Sequence, residues 1–339
     1  MMRFCLLFLS FVWLNSYAQT DSVQYFDAQD KRTHNNAVYY RKISKPDTGQ
    51  IYLATDYWIN GHIKMVGYTL DTSCIYKIGR FTYYYTNGIK SGEGQFYSDL
   101  NQHVCSYKNK KWETWYPTGK PKEVWIYKIA DDFTFDESFL MNFWDTAQNE
   151  LTVKGEGRYD FTDRIKTKDS LQKVVFSGPV HKGLFERQWN AYYPNGKEYA
   201  EEQYVGGKFV NGKSFDGAGN AYSYDSLETD ARFPGGQEGL EKFLELNIHQ
   251  PRVTNRGAGF MSVAKTGNDA MLSNTVYVRI FVGRTGFIGN VNIIRSAENA
   301  EMDGEAIRVA KLMPRFSPAT VRGQPVDSYV IIPIPFRQP

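Results

Sequence analysis

Histidine and cysteine are scarce in this 339-residue chain, which has five of the first and three of the second. His34, His62, His103, His181 and His249 stand singly in separate segments, without the spacing a zinc site needs, so no metal and no other cofactor is expected. Neither G-x-S-x-G nor H-E-x-x-H occurs, and no Cys–His pairing can be read from the pattern. An enzyme is the least supported class. A surplus of either charge is missing too. Against 40 Lys and Arg stand 37 Asp and Glu, and the net charge of +3 gives no case for nucleic acid, which needs a concentrated basic patch. Long apolar runs are absent apart from Phe4 to Leu14. About 11 residues rising ~1.5 Å each span roughly 16 Å, far short of the ~30 Å hydrocarbon core. With Arg3 before it, and Ser16 and Ala18 ahead of Gln19, this run reads as a cleaved export signal over 1–18. No membrane-spanning segment is expected after cleavage.

Cys5 leaves with that signal. Cys74 in "CIYK" and Cys105 in "CSYK" lie as far apart as Gly88 and Gly119, so they hold equivalent places in successive repeats. Equivalent places in a sheet of hairpins are two strands apart, ~9.5 Å. A disulfide needs Cα atoms within about 7 Å, so two thiols are expected.

Aromatic residues, in contrast, make up 16% of the chain, with 24 Tyr among them, and such residues fit pleated, half-buried surfaces. They recur in a phrase. "DYWINGHIKMVGY", "YYYTNGIKSGEGQFY", "TWYPTGKPKEVWIY", "AYYPNGKEYAEEQY" and "SFDGAGNAYSY" centre on Gly61, Gly88, Gly119, Gly196 and Gly219, and a weaker copy puts Gln148 in the Gly place. The wide gap before Gly196 points to a degraded copy around "RIKTKDS". Asn-Gly is expected to supply two positive φ values to a tight hairpin turn, with aromatic and polar residues alternating on both sides. One hairpin cannot bury enough surface to be stable, but stacked copies can share one sheet. Residues 207–214 match the phosphate-loop pattern GxxxxGK[ST], yet turn and strand follow where that loop requires a helix, so they belong to the repeat.

These copies resemble the MORN-variant repeats of exported bacterial proteins, over residues 19–228. The resemblance implies an elongated antiparallel sheet used for contact. Exposed aromatic rows would instead suit envelope glycan or peptidoglycan, and the side chains of Trp58, Trp112, Trp115 and Trp189 separate the two readings: buried they pack the sheet, exposed they stack on sugars.

After residue 228 the period changes. "RFPGGQEGLEKFLELNIHQP" places Leu240, Phe243 and Leu244 at helical spacing, with Glu238 and Glu241 in the first turns and Pro251 closing the segment. Val276, Val278, Ile280 and Val282 alternate in a strand that turns at Gly283 and Gly286 into a second run. Met302, Ala306, Val309, Ala310 and Met313 share one face of a helix halted by Pro314, and "QPVDSYVIIPIPFRQP" is the last strand. The expected fold is thus an all-β repeat sheet of stacked hairpins followed by a small α+β domain over 229–339.

That domain resembles the TonB C-terminal domain in its Bacteroidetes-type form. The matching residues are Phe233-Pro234-Gly235-Gly236, the GRTGFI turn, Glu305 to Val309, Met313 to Phe316, and Arg322 to Val326. The resemblance implies a periplasmic, non-enzymatic partner of an outer-membrane receptor or other envelope protein, linked to transmembrane transport, and allows a homodimer. A partner segment would add as a strand along Val326, Ser328, Tyr329, Val330, Ile332, Ile334 and Phe336. Pro333 and Pro335 lie two apart, so their missing N–H groups face one edge; on the free edge they shift docking towards Val326 to Val330.

Overall fold

The computed structural model describes residues 23–45, 51–129, 136–166, 171–250 and 275–336. The export signal, Pro251 and part of the degraded copy fall outside the described residues. Among the described residues seventeen strands of hairpin sheet precede a small α+β region, as expected from the repeats and the change of period. By compactness the chain divides into two units, one up to Gly157 together with Lys182–Leu184, the other made of Arg158–His181 and Phe185 onwards.

The first unit holds β1 (Val23–Phe26), β2 (Tyr39–Ser44), β3 (Tyr52–Trp58), β4 (Ile63–Thr69), β5 (Lys77–Tyr84), β6 (Lys90–Asp99), β7 (Val104–Trp115), β8 (Pro121–Ile129), β9 (Asp136–Trp144) and β10 (Glu150–Val153). Each pairs antiparallel with the next, and β10 pairs with the start of β11 (Glu156–Lys166). The repeat turns differ from expectation. Only the Gly has positive φ, as at Gly61 and Gly88, and no Asn of the Asn-Gly pairs does. Gly61 N–H donates to Trp58 O and Trp58 N–H to His62 O, both at 2.8 Å, which is a type I turn closed by a bulge at the glycine. Asn is needed for its side chain. Asn60 Oδ1 accepts from His62 N within its own turn, while Nδ2 donates to Thr86 O of the next turn at 2.8 Å. Asn87 repeats this with Ile89 and Pro117. Gln148 adopts a φ of 71° in the Gly place, and Asp145 at the start of that turn accepts from Asn149 N at 2.8 Å.

The residue that opens each turn explains why the phrase repeats. Trp58 Nε1 donates to Tyr84 O, Tyr85 Oη to Trp115 O and Tyr116 Oη to Trp144 O, in each case to the carbonyl just before the next turn. The series stops where the opening residue is Asp145, a carboxylate that closes its own turn and sends no hydroxyl onward.

The second unit continues with the rest of β11, then β12 (Leu171–His181), Phe185 of β13 (Leu184–Phe185), β14 (Arg187–Tyr192), β15 (Glu198–Val205), β16 (Lys208–Phe215) and β17 (Ala221–Tyr224). The same rule holds: Tyr193 Oη donates to Phe215 O, and the series ends at Asp216. The phosphate-loop lookalike lies on β16 and the turn before it. Gly178 on β12 lies beneath the Trp189 ring, where any Cβ would collide with it. Trp189 stacks on Phe185 at 4.0 Å and is 1% exposed; in the first unit Trp112 is 5% exposed. Trp58 and Trp115 are half-buried, with Lys90 Nζ 4.0 Å from the Trp115 ring centre.

The α+β region belongs to this second unit. It comprises β18 (Glu228–Thr229), α1 (Gly236–Asn247), β19 (Thr275–Val282), β20 (Ile288–Arg295), α2 (Ala300–Leu312), β21 (Ala319–Val321), β22 (Gln324–Val326) and β23 (Ser328–Pro335). The order of strands is β20-β19-β23 in one sheet and β18-β21-β22 in another. Val276, Val278, Ile280 and Val282 face Ala306, Val309, Ala310, Leu240 and Leu244 in one core, as the two periodicities predict. The β21–β22 hairpin is not apparent from periodicity because each strand has three residues. Its turn, Arg322-Gly323, has φ of 49° and 75°, so the two-residue turn with both values positive occurs here.

Candidate functional site

The residues shared with the TonB-like pattern first build the domain. Arg308 reaches from α2 to the end of α1, donating to Asn247 O at 2.6 Å, while Glu305 receives Arg308 Nε and the His249 N–H. The hydrogen bond from Arg308 holds the Glu305 carboxyl below the usual carboxylate range. Phe233 and Phe316 meet edge to face at 5.5 Å, and Arg284 N donates to Asp327 Oδ1 at 2.8 Å. Asp327 therefore interrupts the expected contact strand: Val326 ends β22, while β23 starts at Ser328.

Of the expected contact residues, Val330 is half-buried, and Ile332, Ile334 and Phe336 point into the core. Tyr329 lies on the opposite face, 60% exposed, beside Ile331 at 56%. Ser328 Oγ is buried without a hydrogen-bond partner among the described residues. One edge of β23 pairs with β19 in register from Val282↔Ser328 to Thr275↔Pro335, and no described strand covers the other. Pro333 and Pro335 cannot donate to β19. The ladder therefore draws its donors from the even-numbered residues, and the odd-numbered ones turn their backbone to the open edge. That edge offers N–H groups at Tyr329 and Ile331, and none at 333 or 335.

Helix α1 walls this edge. A groove of about 610 Å³ runs between Gly236, Gln237 and Leu240 on one side and Tyr329 to Ile332 on the other. A second cavity of about 490 Å³ lies where Leu244 and Ile248 approach Pro335 and Phe336. Ile331 and the α1 wall were not among the residues expected from sequence. Alternation along β23 could have supplied Ile331; the wall depends on how α1 packs.

A second constellation joins the last repeat to the β21–β22 hairpin. Glu202 on β15 is 1% exposed, and its carboxylate accepts from Arg322 Nε at 2.6 Å, Tyr224 Oη at 2.8 Å and Tyr204 Oη at 2.8 Å. Ser214 Oγ donates to Arg322 O at 2.7 Å, Gln324 Nε2 donates to that hydroxyl, and the guanidinium lies 4.7 Å from the Phe176 ring centre. Burial acts to lower the Arg322 pKa, but the charge and hydrogen bond of Glu202, together with Tyr199 and Tyr224, outweigh it and the result is a raised value. Burial, then the charge of Glu202, pushes the Tyr204 and Tyr224 hydroxyls well up. In other repeats such an acid finds its partner nearby, as Asp56 does in Arg41 on the adjacent strand at 2.7 Å. Opposite Glu202 the adjacent strand carries Trp189 instead.

The model of the family described as Gram-negative bacterial TonB protein C-terminal matches residues 270–338. No curated protein and no solved structure matches the chain. The match supports a TonB C-terminal domain at residues 270–338, a non-catalytic interaction domain that suggests an envelope protein linked to TonB-type transport. Among the described residues no helix is long and apolar enough to cross a membrane.

Proposed function

We propose that this is a non-enzymatic periplasmic protein that captures a short extended segment of an outer-membrane receptor or other envelope protein along the open edge of β23. The repeats, read as MORN-like, serve as its platform. The open edge facing the α1 groove is the observation that carries this reading. Backbone bonds at Tyr329 and Ile331 supply affinity, and Phe233, Leu240 and Phe316 offer an apolar floor for one inward side chain. The proline pair limits pairing to the first half of the strand. A glycan reading through the four tryptophans is disfavoured, because Trp112 and Trp189 are buried.

The test is a methyl-labelled NMR titration of the whole chain with peptides from the periplasmic ends of outer-membrane receptors. Shifts at Val330, Ile331 and Ile332 are expected. Silence there at about 1 mM peptide, a weak-binding concentration, defeats the reading. Protein-concentration-dependent shifts without peptide would assign the edge to a homodimer instead.

A further inference from the structure

The outer face of β14–β16 differs from that of β5–β7. On β5–β7 the outward charges spend themselves on each other: Arg80 pairs with Glu93, Thr82 Oγ1 donates to Glu93, and Lys111 Nζ lies 2.8 Å from Glu113. On β14–β16 four amides, Gln188, Asn190, Gln203 and Asn211, stand beside Glu201 and Lys213 in cross-strand rows set by the register. One row is Gln188↔Gln203↔Asn211, and the next is Asn190↔Glu201↔Lys213. Gln203 and Asn211 make no side-chain hydrogen bond among the described residues, and Gln188 Nε2 reaches only Asn190 Oδ1, at 2.9 Å. A shallow trough of about 550 Å³ follows Glu201, Gln203, Asn211 and Lys213 on β15 and β16 and runs on to Ser223 and Asp225 at β17. Tyr192, exposed on the same face of β14, lies two residues from Asn190.

From this arrangement we infer that the outer face of β14–β16 is a binding site for an extended glycan of acetamido sugars. Each unspent amide offers a donor and an acceptor side by side, which suits vicinal hydroxyl pairs. Within a row, side chains on neighbouring strands stand ~4.8 Å apart, close to the length of one pyranose in an extended chain, so successive amides of a row meet successive sugars. An acetamido group needs an acceptor for its N–H and a donor for its C=O, and Glu201 beside Lys213 supplies both. The Tyr192 ring provides a flat apolar surface for a sugar face. This site is separate from the β23 edge and does not depend on docking there.

Calorimetric titration of the whole protein with a soluble β-1,4-linked N-acetylglucosamine hexamer tests it, with the matching glucose hexamer as comparison. Millimolar or tighter binding to the first is expected. Gln203→Ala with Asn211→Ala, or Tyr192→Ala alone, should weaken it by at least about tenfold with an unchanged thermal transition, as these side chains are outward-facing. No heat at about 10 mM hexamer overturns the site. Equal affinity for the glucose hexamer removes the acetamido assignment, and undiminished binding by the amide variant places the sugar elsewhere.

Discussion

Asp56 and Glu202 are both buried acids on strands of the repeating sheet, and they are neutralised in different ways. Asp56 takes both carboxylate contacts from Arg41, its directly opposed neighbour on β2, so the repeat supplies its own cation. Glu202 faces Trp189 across the strand and draws its cation from Arg322, at the tip of a hairpin in the α+β region. A repeat that satisfies its own acid can be stacked anywhere; one that cannot is complete only beside the segment that supplies the charge. The difference teaches that similar repeat sequences do not carry equal independence.

Removing either arginine is the largest way to break the comparison. An uncompensated buried carboxylate costs about 3–5 kcal/mol, so Arg322→Ala and Arg41→Ala should both lower the unfolding midpoint strongly. They should differ in reach under hydrogen exchange. Arg41→Ala should loosen β2 to β4, whereas Arg322→Ala should loosen β14 to β17 together with β21 and β22. Protection unchanged in β14–β17 would sink the account of Glu202.

Alkaline pH sharpens it. Tyr199 in the second unit is pushed up to about 12, mainly by burial, and in the first unit burial raises Tyr39 and Tyr83 beside the Arg41–Asp56 pair. A tyrosine whose folded pKa lies above its unfolded value of ~10 gives its full stabilisation below pH ~10 and loses it as pH rises through the folded value. For Tyr199 the window is pH ~10 to ~12 and the loss about 3 kcal/mol. Stopped-flow tyrosinate absorbance should show these hydroxyls ionising only with unfolding; immediate ionisation at pH ~10 would contradict their burial.

Smaller effects test what the units share. Tyr85→Phe and Tyr193→Phe each remove one hydroxyl-to-carbonyl bond between turns and should cost about 1 kcal/mol in denaturant unfolding. A value near zero for both would mean the opening tyrosine is kept for its ring. Asn87→Ala should cost least, about 0.5 kcal/mol, because its bond to Pro117 O is exposed. A larger loss than at Tyr85 would reverse the order of importance along the turn.

Much of this was legible because it repeats or is periodic. The turn places, including Gln148, follow from the recurring phrase, and the α2 face follows from Met302, Ala306, Val309 and Ala310. Turn type was misread because Asn-Gly suits two turn classes, and only the partner of Asn60 on the next turn reveals its use. The hydroxyl of Tyr85 ends at a backbone carbonyl, a partner with no letter of its own. β23 was legible as a strand from its alternation, but which of its edges is open and the α1 wall beside it were not. Arg322 appeared only as one residue of the Arg-Gly-Gln-Pro-Val pattern, since nothing local connects it to Glu202.

The Glu202–Arg322 pair bears on how such chains can be recombined. A joint made between the last repeat and the α+β region leaves one partner with a buried carboxylate and the other with a guanidinium aimed at nothing. Exchange of this C-terminal region is therefore expected to keep its stability only when β15 to β17 travel with it, as one cassette.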